Sequence, residues 1–138
     1  MKIDYDANPK GADIQQLKEG IVEYARRQRD HAPMEPFAFF MRDDSGNIMG
    51  GCNGNIAYGW IYVDQLWVAE TWRGKGYGTQ LMKLAEKLGK EKGCIRAAVN
   101  TMDWEAPEFY KKLGYYVEFE RHGLAKDSIY YYLRKELT

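Results

Sequence analysis

The segment Val68-Ala69-Glu70-Thr71-Trp72-Arg73-Gly74-Lys75-Gly76-Tyr77-Gly78-Thr79 constrains the fold more than any other part of the chain. It joins the most apolar strand pattern, Trp60 to Val68, to a stretch of helical period. In that stretch Leu81, Leu84, Ala85 and Leu88 share one face, and Lys83, Glu86, Lys87 and Lys90 the other. A buried strand that runs through glycines into an amphipathic helix predicts an α/β layer arrangement around a mixed sheet. The turn also presents several backbone N–H groups at the positive end of a helix dipole, where a pyrophosphate fits. Its alternating glycines remove the Cβ atoms that would hold a phosphate away, and Arg73 and Lys75 add positive charge at the rim. Two rival readings fail on spacing. A P-loop needs Lys-Ser or Lys-Thr after the last glycine, and the dinucleotide fingerprint needs a third glycine where Leu81 stands. A tight strand-to-helix turn that binds nothing fits the same residues.

The rest of the chain divides readily. Ile3 to Ala7 alternates weakly and reads as a first strand, ended by Asn8, Pro9 and Gly11. A helix is predicted from about Ala12 to Arg29, with Ile14, Leu17, Ile21 and Tyr24 forming an apolar stripe laid on a core. After a loop with Pro33 and Pro36 come a strand Phe37 to Arg42, a hairpin turn from Asp43 to Asn47, and a strand Ile48 to Ala57. That strand is made irregular or bulged by Gly50, Gly51 and Gly54. Beyond the central helix, ended by Lys92 and Gly93, a buried strand Ile95 to Thr101 precedes a short helix, Pro107 to Leu113, stopped by Gly114. Strands Tyr115 to Arg121 and Ser128 to Glu136 follow, with Tyr130, Tyr131 and Tyr132 assigned to an edge or a subunit contact.

With 138 residues the chain is expected to form one domain, residues 1–138, around one core. Its 20 basic and 20 acidic residues balance, and without a basic run the counterion-release term of nucleic-acid binding is missing. No stretch approaches the roughly 20 apolar residues of a membrane span, and the first ten residues lack a secretory core. A cytoplasmic protein with no nucleic-acid or membrane partner is the expectation. Cys52 and Cys94 stand alone and read as small core residues in a reducing compartment. His31 and His122 are also isolated, so no metal site is expected.

A second segment, Ala106-Pro107-Glu108-Phe109-Tyr110-Lys111-Lys112-Leu113-Gly114-Tyr115, completes a pattern. Together the two segments resemble the GCN5-related N-acetyltransferase (GNAT) superfamily over nearly the whole chain. Arg73 to Gly78 is similar to its R/Q-x-x-G-x-G/A coenzyme A loop, and Phe109 to Tyr115 to its F-Y-x-K-x-G-F/Y segment. The resemblance implies a single-domain GNAT-like fold, a mixed central β-sheet flanked by helices, and acetyl-coenzyme A as cosubstrate. One departure is Asp103, where members often carry an asparagine: a carboxylate accepts hydrogen bonds but cannot donate them as an amide does.

Carried over by position, the resemblance implies that the backbone of Arg73, Gly74, Gly76, Gly78 and Thr79 holds the pyrophosphate, with Lys75 and Tyr77 in the same loop. Leu66, Trp67 and Val68 would pair with the pantetheine arm as an added strand. That strand would splay from Ile95 to Thr101, and the Val68 N–H would stabilise the oxyanion formed from the thioester. Asn100, Asp103 and Phe109 complete the implied cofactor set. Tyr110 matches the family tyrosine that protonates the leaving thiolate, and its phenol, with a pKa of about 10, suits that task. Asp64 is the candidate general base, or else a solvent-facing carboxylate on an alternating strand. Trp60 and Tyr62 fall on the same side as Asp64 and could wall an acceptor site, or simply pack.

The expected activity is acetyl transfer to the primary amine of a small molecule by direct attack in a ternary complex. A protein lysine or amino-terminal acetyltransferase, and a non-catalytic coenzyme A sensor, remain as alternatives. A peptide acceptor would want an open groove, whereas a small amine would want closure by the region 27–36. The resemblance also implies a homodimer through the last strands.

Overall fold

The computed structural model describes all residues, 1–138, and divides the chain into two compact units, Met1–Met34 and Glu35–Thr138. The first unit is one helix, α1 (Gly11–Arg29), closed by Asp30 in the left-handed conformation. Residues 1–7 form no strand and are exposed, which corrects the reading of Ile3 to Ala7. An Asx-type turn, in which the Asn8 N–H donates to Asp6 Oδ1 at 2.9 Å, ends this segment instead. The helix itself lies where its period predicts. Its apolar residues Ile14, Leu17, Ile21 and Tyr24 share one side of the helix.

The second unit is a six-stranded sheet of β1 (Glu35–Arg42), β2 (Ile48–Ala57), β3 (Trp60–Val68), β4 (Arg96–Met102), β5 (Tyr116–Arg121) and β6 (Tyr130–Glu136). The strand order is β1-β2-β3-β4-β6-β5, antiparallel except for the β3–β4 pair. β6 is therefore an inner strand and β5 the edge, correcting the placement of Tyr130 to Tyr132 at an edge. Between β3 and β4 the chain crosses over through α2 (Tyr77–Glu91), the helical connection a parallel pair needs. A short helix, α3 (Pro107–Lys112), follows β4.

One face of this sheet carries the core. Ile61 and Val63 of β3, Ala97 and Val99 of β4 and Leu133 of β6 pack with Leu81, Met82 and Ala85 of α2. α2 lies so close that a Cβ on Gly89 would stand 2.8 Å from Ile61 Cγ2. Glu86, expected on the polar face of α2, is 8 % exposed. It accepts hydrogen bonds from Tyr115 Oη at 2.9 Å and Lys135 Nζ at 2.8 Å, and these partners make its burial tolerable. Glu86→Ala removes both bonds and leaves a poorly hydrated ammonium behind, so a loss of about 2 kcal/mol is expected, roughly 8 °C in Tm by calorimetry. Burial, then the Glu86 charge, push the Tyr115 phenol well above its ordinary range. The folded state thus holds that proton more tightly than the unfolded chain does. This contribution is complete below about pH 10 and is lost as pH rises further.

Three extra residues bend the sheet, in β2, β3 and β5; the one in β5 is Glu118, between the pairs Val117↔Leu133 and Phe119↔Tyr132. In β2 Met49 has no partner opposite β1, so the strand foreseen as irregular does carry a bulge. The second lies in β3: Asn53 pairs with Gln65 and Gly54 with Val63, leaving Asp64 unpaired. Side-chain parity flips there. Ile61 and Val63 face the core before the bulge, and Leu66 and Val68 face it after.

Candidate active site

The bulge at Asp64 decides where the sheet opens. β3 pairs with β4 only from Trp60↔Arg96 to Val63↔Val99; beyond that point the strands part. The segment Asp64 to Val68 keeps β2 on one side and has no strand on the other. The Ala69 N–H donates to Met49 O at 2.8 Å, which sets the alternation of this ladder: Trp67 and Ala69 turn their backbone groups toward β2, and Leu66 and Val68 turn theirs into the opening. Arg73 Nε donates to Val68 O at 2.9 Å and so ties the following loop to the strand end.

The opening leads to the glycine loop. Gly74 and Gly76 have φ of +78° and +83°, a backbone that side chains resist, while neither lacks room for a Cβ. Gly76 caps α2 without any side-chain cap, and the first turn holds no acidic residue. The first hydrogen bond of the helix is from the Gln80 N–H to Gly76 O, so the N–H groups of Tyr77, Gly78 and Thr79 point outward without a helical partner. A cavity of about 450 Å³ collects these parts. It is lined by Leu66, Trp67, Val68, Trp72, Arg73, Gly74, Gly76, Tyr77, Gly78, Thr79, Ala106 and Phe109.

Ten of the residues selected from sequence thus line one cavity. Lys75, Asn100 and Asp103 do not. Asp103 instead clamps the chain before β6: its Oδ1 accepts the Ile129 N–H at 3.0 Å, and its own N–H donates to Ile129 O at 2.8 Å. Trp72 was missed as a lining residue. Its signal was an aromatic directly before the loop, and its ring packs 5.7 Å from that of Tyr77.

Tyr110, on α3, is buried against Phe109 and Tyr115, at ring separations of 5.1 and 6.0 Å. Burial, then the charges of Glu105 and Cys52, push its phenol up to about 12. Its hydroxyl makes none of the side-chain hydrogen bonds of the protein, in contrast to that of Tyr115. Cys52, buried on the same side, has its thiol raised to about 11 by burial.

The opposite face of the sheet carries Trp60, Tyr62 and Asp64 together, as alternation predicts. The Trp60 and Tyr62 rings stack at 6.0 Å, and Asp64, which is exposed, accepts a hydrogen bond from Asn55 Nδ2 at 3.3 Å. Arg96 and Arg134 lie over Trp60 at 5.6 and 5.8 Å. Asn53, two residues from Asn55 on the same face, has a buried Oδ1 without a partner. The sequence signal for it, asparagines at alternate positions opposite Cys52, was overlooked.

The model of the acetyltransferase (GNAT) family matches residues 7–115. Blasticidin-S acetyltransferase of Streptomyces morookaense is 39 % identical over 84 residues, 60 % of this chain and 62 % of that protein, so the alignment spans under two thirds of the relative. Acetyltransferase Atu2258 of Agrobacterium fabrum is 29 % identical over 72 % of each chain. Among solved structures, an acetyltransferase from Agrobacterium tumefaciens superimposes with a TM-score of 0.87 over 99 % of both chains at 24 % identity.

Proposed function

Because the chain belongs to the acetyltransferase (GNAT) family, we propose that it moves an acetyl group from acetyl-coenzyme A to the primary amine of a small molecule, by direct attack with both substrates bound. The observation that carries this reading is the opening beside Leu66 and Val68, which runs without interruption into an uncapped helix N-terminus. That arrangement suits a long ligand with an amide-bearing arm and a pyrophosphate. The outward N–H groups of the first turn of α2, with Gly74 and Gly76, would hold the phosphates, and Lys75 would add charge from the rim. Leu66 and Val68 would pair with the arm as a strand would. Acetyl-coenzyme A supplies an activated acetyl group as its thioester.

The residues of this chain would then divide the work. The Val68 N–H donates to the thioester oxygen as charge builds there. Tyr110, kept protonated by burial, offers its unpartnered hydroxyl to the departing sulfur. Asp64, beside the Trp60–Tyr62 stack, takes the proton of an ammonium drawn to the aromatic faces, directly or through a water. The 39 % identical relative named for blasticidin S supports a small-molecule acceptor. Two buried, unpaired thiols, Cys52 and Cys94, suit a reducing compartment and support a cytoplasmic location.

Calorimetric titration with acetyl-coenzyme A, followed by an amine panel with thiol release as the readout, tests the reading. Micromolar binding with release for particular amines is the expected result; no binding by the intact protein would overturn it. Asp64→Asn should lower kcat/KM about 10²-fold at pH 7 and leave acetyl-coenzyme A binding intact. Much of the loss should return above pH 9, where the amine deprotonates without help. An unchanged rate at pH 7 removes Asp64 from the reaction.

A further inference from the structure

Hydrogen-bond acceptors outnumber donors at one point of the sheet face that carries Trp60 and Tyr62. Asp64 is the residue that the β3 bulge inserts between the pairs Asn53↔Gln65 and Gly54↔Val63, so it falls beside Asn53 and Asn55, which alternate on the same face of β2. Asn55 Nδ2 donates to Asp64 Oδ2 at 3.3 Å, a long bond, and this carboxylate receives no other. The arginines of the face serve other acids: Arg96 pairs with Glu136 at 2.8 Å and Arg134 with Glu118 at 3.0 Å, while Asp64 has no cation.

Asn53 adds a third oxygen in want of a donor. Its Oδ1 is buried without a partner, and its amide nitrogen takes part in no hydrogen bond either. Such an oxygen destabilises the fold unless a group outside the chain supplies the donor. Its register partners, Ala38 of β1 and Gln65 of β3, are exposed, and the Gln65 side chain is free to turn as a ligand enters. The three oxygens of Asp64 and Asn53 thus share one donor, Asn55 Nδ2. An ammonium is the complementary group, with three N–H donors and no acceptor.

We propose that Asn53 is a specificity-determining residue of acetyl transfer: its Oδ1 accepts an N–H of the acceptor nitrogen beside Asp64 and selects primary amines over N-alkylated ones. The kinetic consequence rests on the acetyl-transfer reading; ammonium binding at Asn53 does not. Asp64 takes one proton of the ammonium, directly or through a water, which leaves two N–H groups on the nitrogen of a primary amine. Bonding one of them to Asn53 Oδ1 stops the nitrogen turning about its C–N bond and holds the lone pair in one direction for attack. A secondary amine keeps a single N–H and must place its second carbon where the other donor would be. Two acceptors of one tetrahedral nitrogen stand about 5 Å apart at ordinary bond lengths, which is the spacing of neighbouring side chains across a strand pair.

Side-chain amide resonances read the site without reference to acetyl transfer. Titrating isotope-labelled protein with methylammonium is expected to shift the Asn53 side-chain amide signal. Tetramethylammonium, of equal charge but without an N–H, is expected to leave it in place. No shift with methylammonium, or an equal shift with both cations, overturns the proposal. In kinetics, Asn53→Ala and Asn53→Leu should lower kcat/KM for the best primary amine of the panel by about 10- to 100-fold, cut its advantage over the N-methyl derivative by about fivefold or more, and leave the affinity for acetyl-coenzyme A unchanged. Asn53→Leu, which removes the unpaired oxygen, should melt at or above the wild-type temperature. A purely structural Asn53 would instead give a lower Tm with the amine preference intact, and that result, or an equal loss for both amines, overturns the proposal. Should wild type neither bind acetyl-coenzyme A nor release thiol, the acetyl-transfer reading fails while the two cations still decide whether Asn53 receives an ammonium.

Discussion

Tyr110→Phe is expected to lower kcat by about 10²- to 10³-fold, leave the affinity for acetyl-coenzyme A unchanged, and shift stability by no more than about 0.5 kcal/mol. The asymmetry follows from where the hydroxyl sits. The ring is buried and packs edge-on against Phe109 and Tyr115, and phenylalanine preserves that packing. The oxygen contributes no hydrogen bond within the protein, so its removal strands no partner. A purely structural Tyr110 would give the opposite pattern, lost stability with a nearly normal rate. The raised phenol adds a second test. Held up to about 12 by burial first and neighbouring charge second, it stays protonated throughout the assay range. The kcat profile should therefore show no alkaline fall from this group below about pH 11, and thermal unfolding with rate measurements across that range checks both statements.

How far the sequence carries the argument differs between site and scaffold. The strand, loop and helix from Trp60 to Glu91 were legible because each local signal agrees with its neighbour: apolar run, glycines at positive φ, helical period. Ten residues picked from that reading and from the resemblance converge on one cavity. Errors arise where a residue's setting depends on elements remote in sequence. Glu86 looks solvent-facing on the α2 wheel, and only Tyr115 and Lys135, 29 and 49 positions away, bury it. Asp103 does not line the cavity, and its Oδ1 accepts the Ile129 N–H across 26 positions, a contact no local pattern shows.

Gly54→Ala is expected to destabilise the protein by about 3 kcal/mol, near 10 °C in Tm, a large effect for one methyl group. Register explains why. Gly54 stands opposite Val63 at the point where Asp64 is the extra residue, and the β3 backbone crowds against it. A Cβ there would lie 1.7 Å from Tyr62 O and 3.1 Å from the Asp64 nitrogen, and both are main-chain atoms, so no side-chain rotation relieves the overlap. Gly20, in the middle of α1, provides the contrast. Nothing lies within 4 Å of its would-be Cβ, and Gly20→Ala should be neutral or stabilising by up to about 1 kcal/mol. The functional consequence separates a local adjustment from a lost bulge. Removing Asp64 from its bulge restores simple alternation, which turns Leu66 and Val68 away from the core or Ile61 and Val63 away from α2. Either outcome displaces the Leu66–Val68 edge that lines the cavity where β3 and β4 part. Gly54→Ala protein that still folds should therefore lose acetyl-coenzyme A binding by at least tenfold in calorimetry. A variant that keeps wild-type Tm and affinity would show that the bulge does not set the opening.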